Sequence, residues 1–490
     1  MKKSKSLLKV LLMFILGFCL VIFNVHAQDS VYSKIEKIVM AEAKHELFSG
    51  TVLVAKNGKV VYEKAVGFTD NGQRIPNTPN TRYNISSIKK SFTAVLVMQL
   101  IQENKLNLED PLTKYFPDCP FKTADEIKIS NLLNHTSGLG DYREHPRYQK
   151  ESKKYKKMSD ALPLVYKLEP EFMPGKQFNY SNTGYLLLDI IIEKVEKKGL
   201  EEVLDLRIYD PLGIKKLEQL KAKRQTFEQA FGHFLSPKSK KFVKTNVGPA
   251  KYSKRKGMGF TAKDLLKFDQ ALYSEELLSD EIKEIMFTPV EPSPFYGYGW
   301  IVVPFGGTTV IYHNGGSGGF SSEFRRYPEK GYTIVVLSNY DVVAHALTNK
   351  IDAMILDQPY TITTEGESFC RKAKMFRSQG DLSEANELYK AAVALSDGSI
   401  IDISYAKDLE NGINSLAYDY LNDKNILKAI DLFQMNCKIF PTSANTYDSL
   451  AEAYMKSGQT DLAISNYEKV LQLDPNNEIA KENLKMLKEI

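Results

Sequence analysis

Trp300-Ile-Val-Val-Pro304, Thr308-Thr-Val-Ile-Tyr-His313, Ser321-Ser-Glu-Phe-Arg-Arg-Tyr327 and Tyr332-Thr-Ile-Val-Val-Leu-Ser338 are four short runs rich in β-branched and aromatic residues, separated by glycine-bearing turns. Such runs predict strands. A helix predicted over 341–356 would cover the sheet they form. At the other end of this region, Gly50-Thr-Val-Leu-Val-Ala55 and Lys59-Val-Val-Tyr62 flank Asn57-Gly58, a strong hairpin signal. An amphipathic helix is expected over 31–47, and helical patterns dominate 87–105 and 181–198. Strands first, helices between and strands last predict an α+β domain whose antiparallel sheet is closed by both ends of the chain.

Past Gln358 the pattern changes. Tyr360-Thr-Ile-Thr-Thr-Glu-Gly-Glu-Ser368 is short, polar and threonine-rich, and everything after it reads as helical. The tail repeats itself: Leu416-Ala417 recurs as Leu450-Ala451, Ala429-Ile430 as Ala463-Ile464, and Pro441 as Pro475. The period of about 34 residues, with alanine at tight helix contacts, resembles the tetratricopeptide repeat. An earlier unit over 373–395, with Gly380-Asp381 at its turn, looks like a third copy set apart by an insertion. The competing reading is a plain helical bundle. The expected organisation is a signal peptide over 1–27, a first domain over 28–358, a linker over 359–367 and an all-α repeat domain over 368–490.

The chain has 490 residues, 43% apolar and 26% charged, the composition of a globular protein with ample core. Its formal charge of +5 owes four positive residues, Lys2, Lys3, Lys5 and Lys9, to the start of the chain. The remainder is nearly balanced, so nucleic acid is not an expected partner. That lysine-rich start, the apolar run Leu7–Val25 and then Val25-His26-Ala27 follow the plan of a secretory signal. Cleavage is expected after Ala27, with export to the periplasm or the exterior and no membrane span in what remains. An uncleaved anchor is the alternative, because the apolar run approaches the length of a span. Phe18 stands where a lipoprotein signal before Cys19 needs a small residue. Cys119, Cys370 and Cys437 are widely separated and the seven histidines are scattered, so neither a disulfide framework nor a metal site can be drawn. The expectation is a mechanism with no metal and no cofactor.

Three constellations carry chemistry. In Tyr83-Asn-Ile-Ser-Ser-Ile-Lys-Lys-Ser-Phe-Thr-Ala94, serine and lysine stand three apart at a helix start, in two overlapping registers, Ser86 with Lys89 and Ser87 with Lys90. Residues three apart share a helix face, so the amine can reach the hydroxyl and, with a lowered pKa, take its proton. The helix start adds N–H groups suited to an oxyanion. In Phe178-Asn-Tyr-Ser-Asn-Thr-Gly184, Tyr180 and Asn182 can share a cleft, one relaying a proton and the other orienting lysine and substrate. The plainer reading makes Ser181 or Asn182 a helix cap. In His313-Asn-Gly-Gly-Ser-Gly-Gly-Phe320, a glycine-dense corner between two strands lets a substrate lie close to the backbone and offers an N–H donor. A simple hairpin turn or a phosphate cradle are the alternatives, although phosphate loops lead into helices.

Ser-x-x-Lys, Tyr-x-Asn and His-x-Gly in this order resemble the class C type of serine β-lactamase-related hydrolases, which include penicillin-binding DD-peptidases, D-aminopeptidases and esterases. Leu133-Asn-His-Thr-Ser-Gly-Leu139, Pro211-Leu-Gly213, Phe260-Thr-Ala-Lys-Asp-Leu265 and Tyr296-Gly-Tyr-Gly-Trp300 agree with it, over roughly residues 30–357. The family follows its lysine one residue later with Phe-Thr-Ala, as Phe92-Thr-Ala94 follows Lys90, which implies the Ser87 register. The resemblance then implies that Ser87 is the nucleophile and that Lys90 and Tyr180 form the base. Asn182, His313 and Gly315 would bind substrate, and the N–H groups of Ser87 and Gly316 would form the oxyanion hole. His135 is a candidate base by residue type, in a segment that serves structure in the family.

His313 departs from the lysine of classical β-lactamases and DD-peptidases, and a mostly uncharged histidine offers less to a substrate carboxylate. Esters and D-amino-acid peptides are therefore the expected substrates, ahead of β-lactams and peptidoglycan stems. The repeats are expected to take a protein or peptide partner. A catalytically silent fold that acts only through its repeats is the alternative of another class.

Overall fold

A computed structural model describes residues 31–155, 157–215, 229–245, 259–395 and 405–489. The signal peptide expected over 1–27 and the insertion before the second repeat unit lie outside the described residues. Those residues form two compact units. One runs through Phe234 and resumes over Phe242–Tyr360; the other joins Leu235–Lys241 to the chain from Thr361 onward.

In the first unit, helix α1 (31–44) precedes the hairpin β1 (Gly50–Lys56) and β2 (Lys59–Val66). Asn57 and Gly58 both adopt positive φ, 49° and 73°, as a two-residue turn that follows strand twist requires. Helices α2 (Lys89–Gln102), α3 (Asn182–Glu196) and α4 (Ala262–Ala271) follow. Strands β3 (Ile301–Phe305), β4 (Thr308–Ser317), β5 (Phe320–Tyr327) and β6 (Tyr332–Ser338) and helix α5 (Ala344–Ile355) complete it. The six strands form one antiparallel sheet in the order β2-β1-β6-β5-β4-β3. The N-terminal hairpin thus pairs with the last strand, Gly50 opposite Ser338 and Lys56 opposite Tyr332.

The His313–Phe320 stretch differs from the expected corner. Residues 313–317 are strand, paired as Gly315 with Ser322 and Gly316 with Ser321, and only Gly318-Gly319, with φ of 60° and 86°, make the turn. Glycine at a turn and glycine in a strand look alike in sequence, because both exploit the missing Cβ.

Side chains of a strand alternate between faces, and β5 uses adjacent arginines to hold a helix on each. Arg326 Nε lies 2.5 Å from Asp269 Oδ1 of α4, and Thr333 of the neighbouring strand donates to the same carboxylate. Arg325 turns the other way, to Glu323 at 2.9 Å and to Asp352 of α5. On the α4 face, Leu53, Phe324, Val335 and Leu337 join a continuous core with α2 and α3. Helix α2 is buried at every position from Lys90 to Leu100, which makes it the axis of the helical layer. Phe92 stacks on Phe268 with ring centroids 4.0 Å apart.

The second unit is a series of helix pairs: α6 (Glu365–Ser378) with α7 (Leu382–Ala394), α8 (Ala406–Asn422) with α9 (Ile426–Ile439), and α10 (Ala444–Lys456) with α11 (Thr460–Leu473), followed by α12 (Glu478–Lys488). Ala373, Ala385, Ala417, Ala429, Ala451 and Ala463 are all fully buried, since larger side chains would force the paired helices apart.

Asp269 is fully buried and Arg326 nearly so. Asp269→Ala would strand the guanidinium without its partner. The expected loss is about 3–5 kcal/mol, read as a lowered denaturant midpoint of the first unit.

Candidate active site

The first part of the site is a helix start under backbone constraint. Ser86 holds φ at 49°, a conformation uncommon outside glycine, and its N–H donates to Asn84 Oδ1 at 2.9 Å. Ser87 follows in the 3₁₀ turn Ser86–Ile88 that leads into α2. One turn later, Lys90 Nζ lies 3.4 Å from Ser87 Oγ and donates to Asn182 Oδ1 at 2.7 Å. Of the two overlapping registers, the Ser87–Lys90 pair is thus the one joined to Asn182, whereas Ser86 Oγ bonds Ser317 Oγ at 2.9 Å.

The second part is the start of α3. Ser181 caps the helix by accepting from Thr183 N at 3.2 Å. Tyr180 and Asn182 flank this cap. Lys90 Nζ lies 4.8 Å from the centre of the Tyr180 ring.

The third part is the end of β4. A Cβ on Gly315 would stand 2.1 Å from Ile85 O and 3.0 Å from Ser87 N, so the strand reaches the serine only because residue 315 has no side chain. Ser322 Oγ, opposite Gly315, donates to Ile85 O at 3.3 Å and holds the same seam. Gly316 is exposed beside it.

Burial sets the electrostatics. It pushes the Lys90 amine down to about 7, assisted by the Arg143 guanidinium and opposed by Asp189 and Asp141. Tyr180 moves the other way, up to about 12, because burial penalises the phenolate more than the nearby Ser87 hydroxyl favours it. Near neutral pH, lysine is therefore the group of this pair that gives up its proton.

His313 is 1% exposed. Its Nδ1 lies 2.7 Å from Asn314 O and so carries the proton, which leaves Nε2 to accept from Tyr296 OH at 3.0 Å. Burial pushes its pKa down to about 3, so the enclosed imidazole is neutral. His135 is also buried and neutral. Its ring lies 4.3 Å from that of Tyr180 and its Nδ1 accepts from Ser181 N–H at 3.1 Å, so it packs the tyrosine and caps the turn.

Sequence reasoning missed Asp141 and Arg143. They lie two and four residues beyond the quoted Leu133–Leu139 segment, and Asp141 accepts from Asn182 Nδ2 at 2.5 Å. Among the described residues no group of three or more His, Cys, Asp or Glu is placed to hold a metal ion, and no helix is long and apolar enough to cross a membrane.

Comparison with known proteins finds relatives for both parts of the chain. The family profile described as Beta-lactamase matches residues 35–356, and that described as Tetratricopeptide repeat matches 444–477. Penicillin-binding protein 4* of Bacillus subtilis is 29% identical over 342 residues, 65% of this chain and 74% of that protein. Teichoic acid D-alanine hydrolase of Staphylococcus aureus is 31% identical over 320 residues, 64% of this chain and 75% of that protein. The octameric penicillin-binding protein homologue from Pyrococcus abyssi superposes with a TM-score of 0.58 at 27% identity, over 70% of this chain and 81% of that one.

Gly315→Ala places a methyl group against the backbone beside Ser87. Reactivity of Ser87 toward a fluorophosphonate, followed by gel labelling, is expected to fall tenfold or more, since displacements of about 1 Å at a reacting centre cost on the order of a hundredfold.

Proposed function

The chain belongs to the β-lactamase family, and from that premise we propose that it is a serine hydrolase that cleaves esters or amides of D-amino acids through an acyl-enzyme on Ser87. The observation that carries this reading is the convergence of Ser87, Lys90, Tyr180 and Asn182 around an amine whose pKa is brought to about 7.

Neutral Lys90 takes the Ser87 proton as Oγ attacks the acyl carbon. The N–H groups of Ser87 and Gly316 receive the oxyanion, and the tetrahedral adduct collapses to an ester on Ser87. The departing alcohol or amine collects the proton held by Lys90, with the Tyr180 phenol as the relay between them. Water then repeats the attack on the acyl-serine, and the carboxylic acid leaves. Asn182 holds Lys90 through its Oδ1. The relay assignment is supported by the high pKa of Tyr180, which keeps the phenol protonated while Lys90 titrates.

Two observations favour this substrate class. His313 is neutral and enclosed, so it supplies no permanent charge for the free carboxylate of a β-lactam or a peptide terminus. A relative of 31% identity carries a name that specifies D-alanine hydrolysis. Action on β-lactams or peptidoglycan stems is the second reading, favoured by the penicillin-binding name of another relative. Export rests on the signal-like residues 1–27, and the repeats would bring the hydrolase to a protein or peptide partner through their concave surface.

Hydrolysis of p-nitrophenyl acetate and of D-alanine esters and amides is expected, with nitrocefin turned over slowly or negligibly. Ser87→Ala should lower ester turnover about a thousandfold or more and abolish fluorophosphonate labelling. Turnover of nitrocefin at the rate of a dedicated β-lactamase, or ester hydrolysis unchanged in Ser87→Ala, would overturn the reading.

The active base is the neutral amine, which is depleted below its pKa. The kcat/KM profile should therefore rise with pH through about 7 and level off above it. A profile already flat between pH 5 and 8 would show that Lys90 is not the group whose deprotonation limits the reaction.

A further inference from the structure

The residues before α3 and after the Leu133–Leu139 segment are tied together across the helix start. Ser181 Oγ and Thr183 Oγ1 donate to Gly140 O at 3.4 and 2.6 Å, and Tyr142 N donates to Thr183 Oγ1 at 2.9 Å. Residues 140 and 142 are thus fixed against 181 and 183, which sets Asp141 opposite Asn182. One Asp141 oxygen accepts from Asn182 Nδ2 at 2.5 Å. Arg143 grips both oxygens of the carboxylate, with Nε 3.1 Å from Oδ1 and 3.2 Å from Oδ2, Nη2 2.8 Å from Oδ2 and its own N–H 3.0 Å from Oδ1.

An ionised carboxylate only accepts hydrogen bonds. Asn182 must therefore turn its NH₂ toward Asp141, and its Oδ1 is left to face Lys90, where it lies 2.7 Å from Nζ. The reversed amide would set oxygen against oxygen on one side and NH₂ against ammonium on the other. We propose that Asp141, clamped by Arg143, is the positioning residue of the lysine base: it fixes the Asn182 amide in the one orientation that presents an acceptor to Lys90. This role rests on the hydrolase reading above and extends it to a residue that touches neither substrate nor serine.

The pair also places two opposite charges within electrostatic reach of the amine. Arg143 disfavours the ammonium and Asp141 favours it, the arginine more strongly. The other groups facing Lys90 are Asp189 of α3, which accepts from Thr93, the Tyr180 and Tyr185 rings, and neutral His135 and His313. Substitution of either partner therefore moves the lysine titration, and the two move it in opposite directions.

The test compares the wild type with the near-isosteric Asp141→Asn and with Arg143→Gln, each first checked for an unchanged thermal midpoint. An asparagine at 141 can donate as well as accept, so the Asn182 amide is free to reverse. Asp141→Asn is expected to lose about tenfold in kcat for p-nitrophenyl acetate and to move the acid limb of kcat/KM to lower pH. Arg143→Gln is expected to move the same limb to higher pH. Asp141→Asn combined with Asn182→Ala should be no slower than Asn182→Ala alone, since both act through one amide. Competitive acetylation of the Lys90 amine across pH, followed by mass spectrometry, reads the same opposed shifts without turnover. Shifts of one sign in both variants, or wild-type kcat and titration in Asp141→Asn, would overturn the positioning role. Failure of the wild type to hydrolyse any ester would instead remove the hydrolase reading, with the acetylation shifts still deciding the role of Asp141.

Discussion

Everything chemical in the first unit depends on burying one amine without giving it a carboxylate in direct contact. Lys90 opens a run of eleven buried positions in α2, so its head group is enclosed by the same packing that makes this helix the axis of the layer. A helix start is already the positive end of the backbone dipole, which disfavours a second positive charge there. The compensating carboxylates stand one step away: Asp141 is separated from the amine by Asn182, and Asp189 bonds Thr93. A direct salt bridge would keep the lysine charged through the neutral range. The neutral acceptor Asn182 Oδ1 satisfies one of its hydrogens while leaving the proton free to go.

The tyrosine obeys the opposite side of the same rule. Burial that lowers an amine raises a phenol, so the same surroundings bring Lys90 to about 7 and Tyr180 to about 12, and the phenol keeps its proton while the amine titrates. The aromatic residues around them reinforce this. His135 packs Tyr180 on one side, and Tyr296 joins both His135 and His313. Two histidines kept neutral add bulk and hydrogen bonds without adding charge beside the lysine.

Much of this was legible in the sequence because it is written locally. The Asn57-Gly58 turn, the strand runs of 300–339 and the spaced alanines of the repeats each carry a short-range signature, of turn conformation, of period two or of close helix packing. Serine and lysine three apart, and tyrosine and asparagine astride a cap, are local as well. What could not be read are contacts whose partners lie far apart along the chain. Asp141 is an ordinary loop carboxylate until α3 brings Asn182 to it, and Tyr296 becomes a partner of His313 only through the sheet. The attachment of Leu235–Lys241 to the second unit leaves no mark in composition either. The glycines of 315–319 misled for a different reason, since one missing Cβ serves two purposes, the turn at 318–319 and the close approach at 315.

That close approach links the site to the rest of the sheet through register. Arg326, Phe324 and Ser322 lie on one face of β5, and their partners on β4 are Ile311, His313 and Gly315. This is the face on which Arg326 meets Asp269 and Ser322 meets Ile85 O, whereas Arg325 meets Asp352 on the other. A slip of β5 by one residue would present Arg325 to Asp269 and Arg326 to Asp352, and would carry Ser322 away from the seam. A slip of β4 would bring Asn314, with a side chain, toward Ile85, where even a Cβ at 315 has no room. The two buried arginines stand far along the strand from the serine, yet the register that satisfies them is the one that sets a glycine against Ser87. The ion pairs that fasten helices to the sheet therefore also fix how closely β4 can approach the nucleophile.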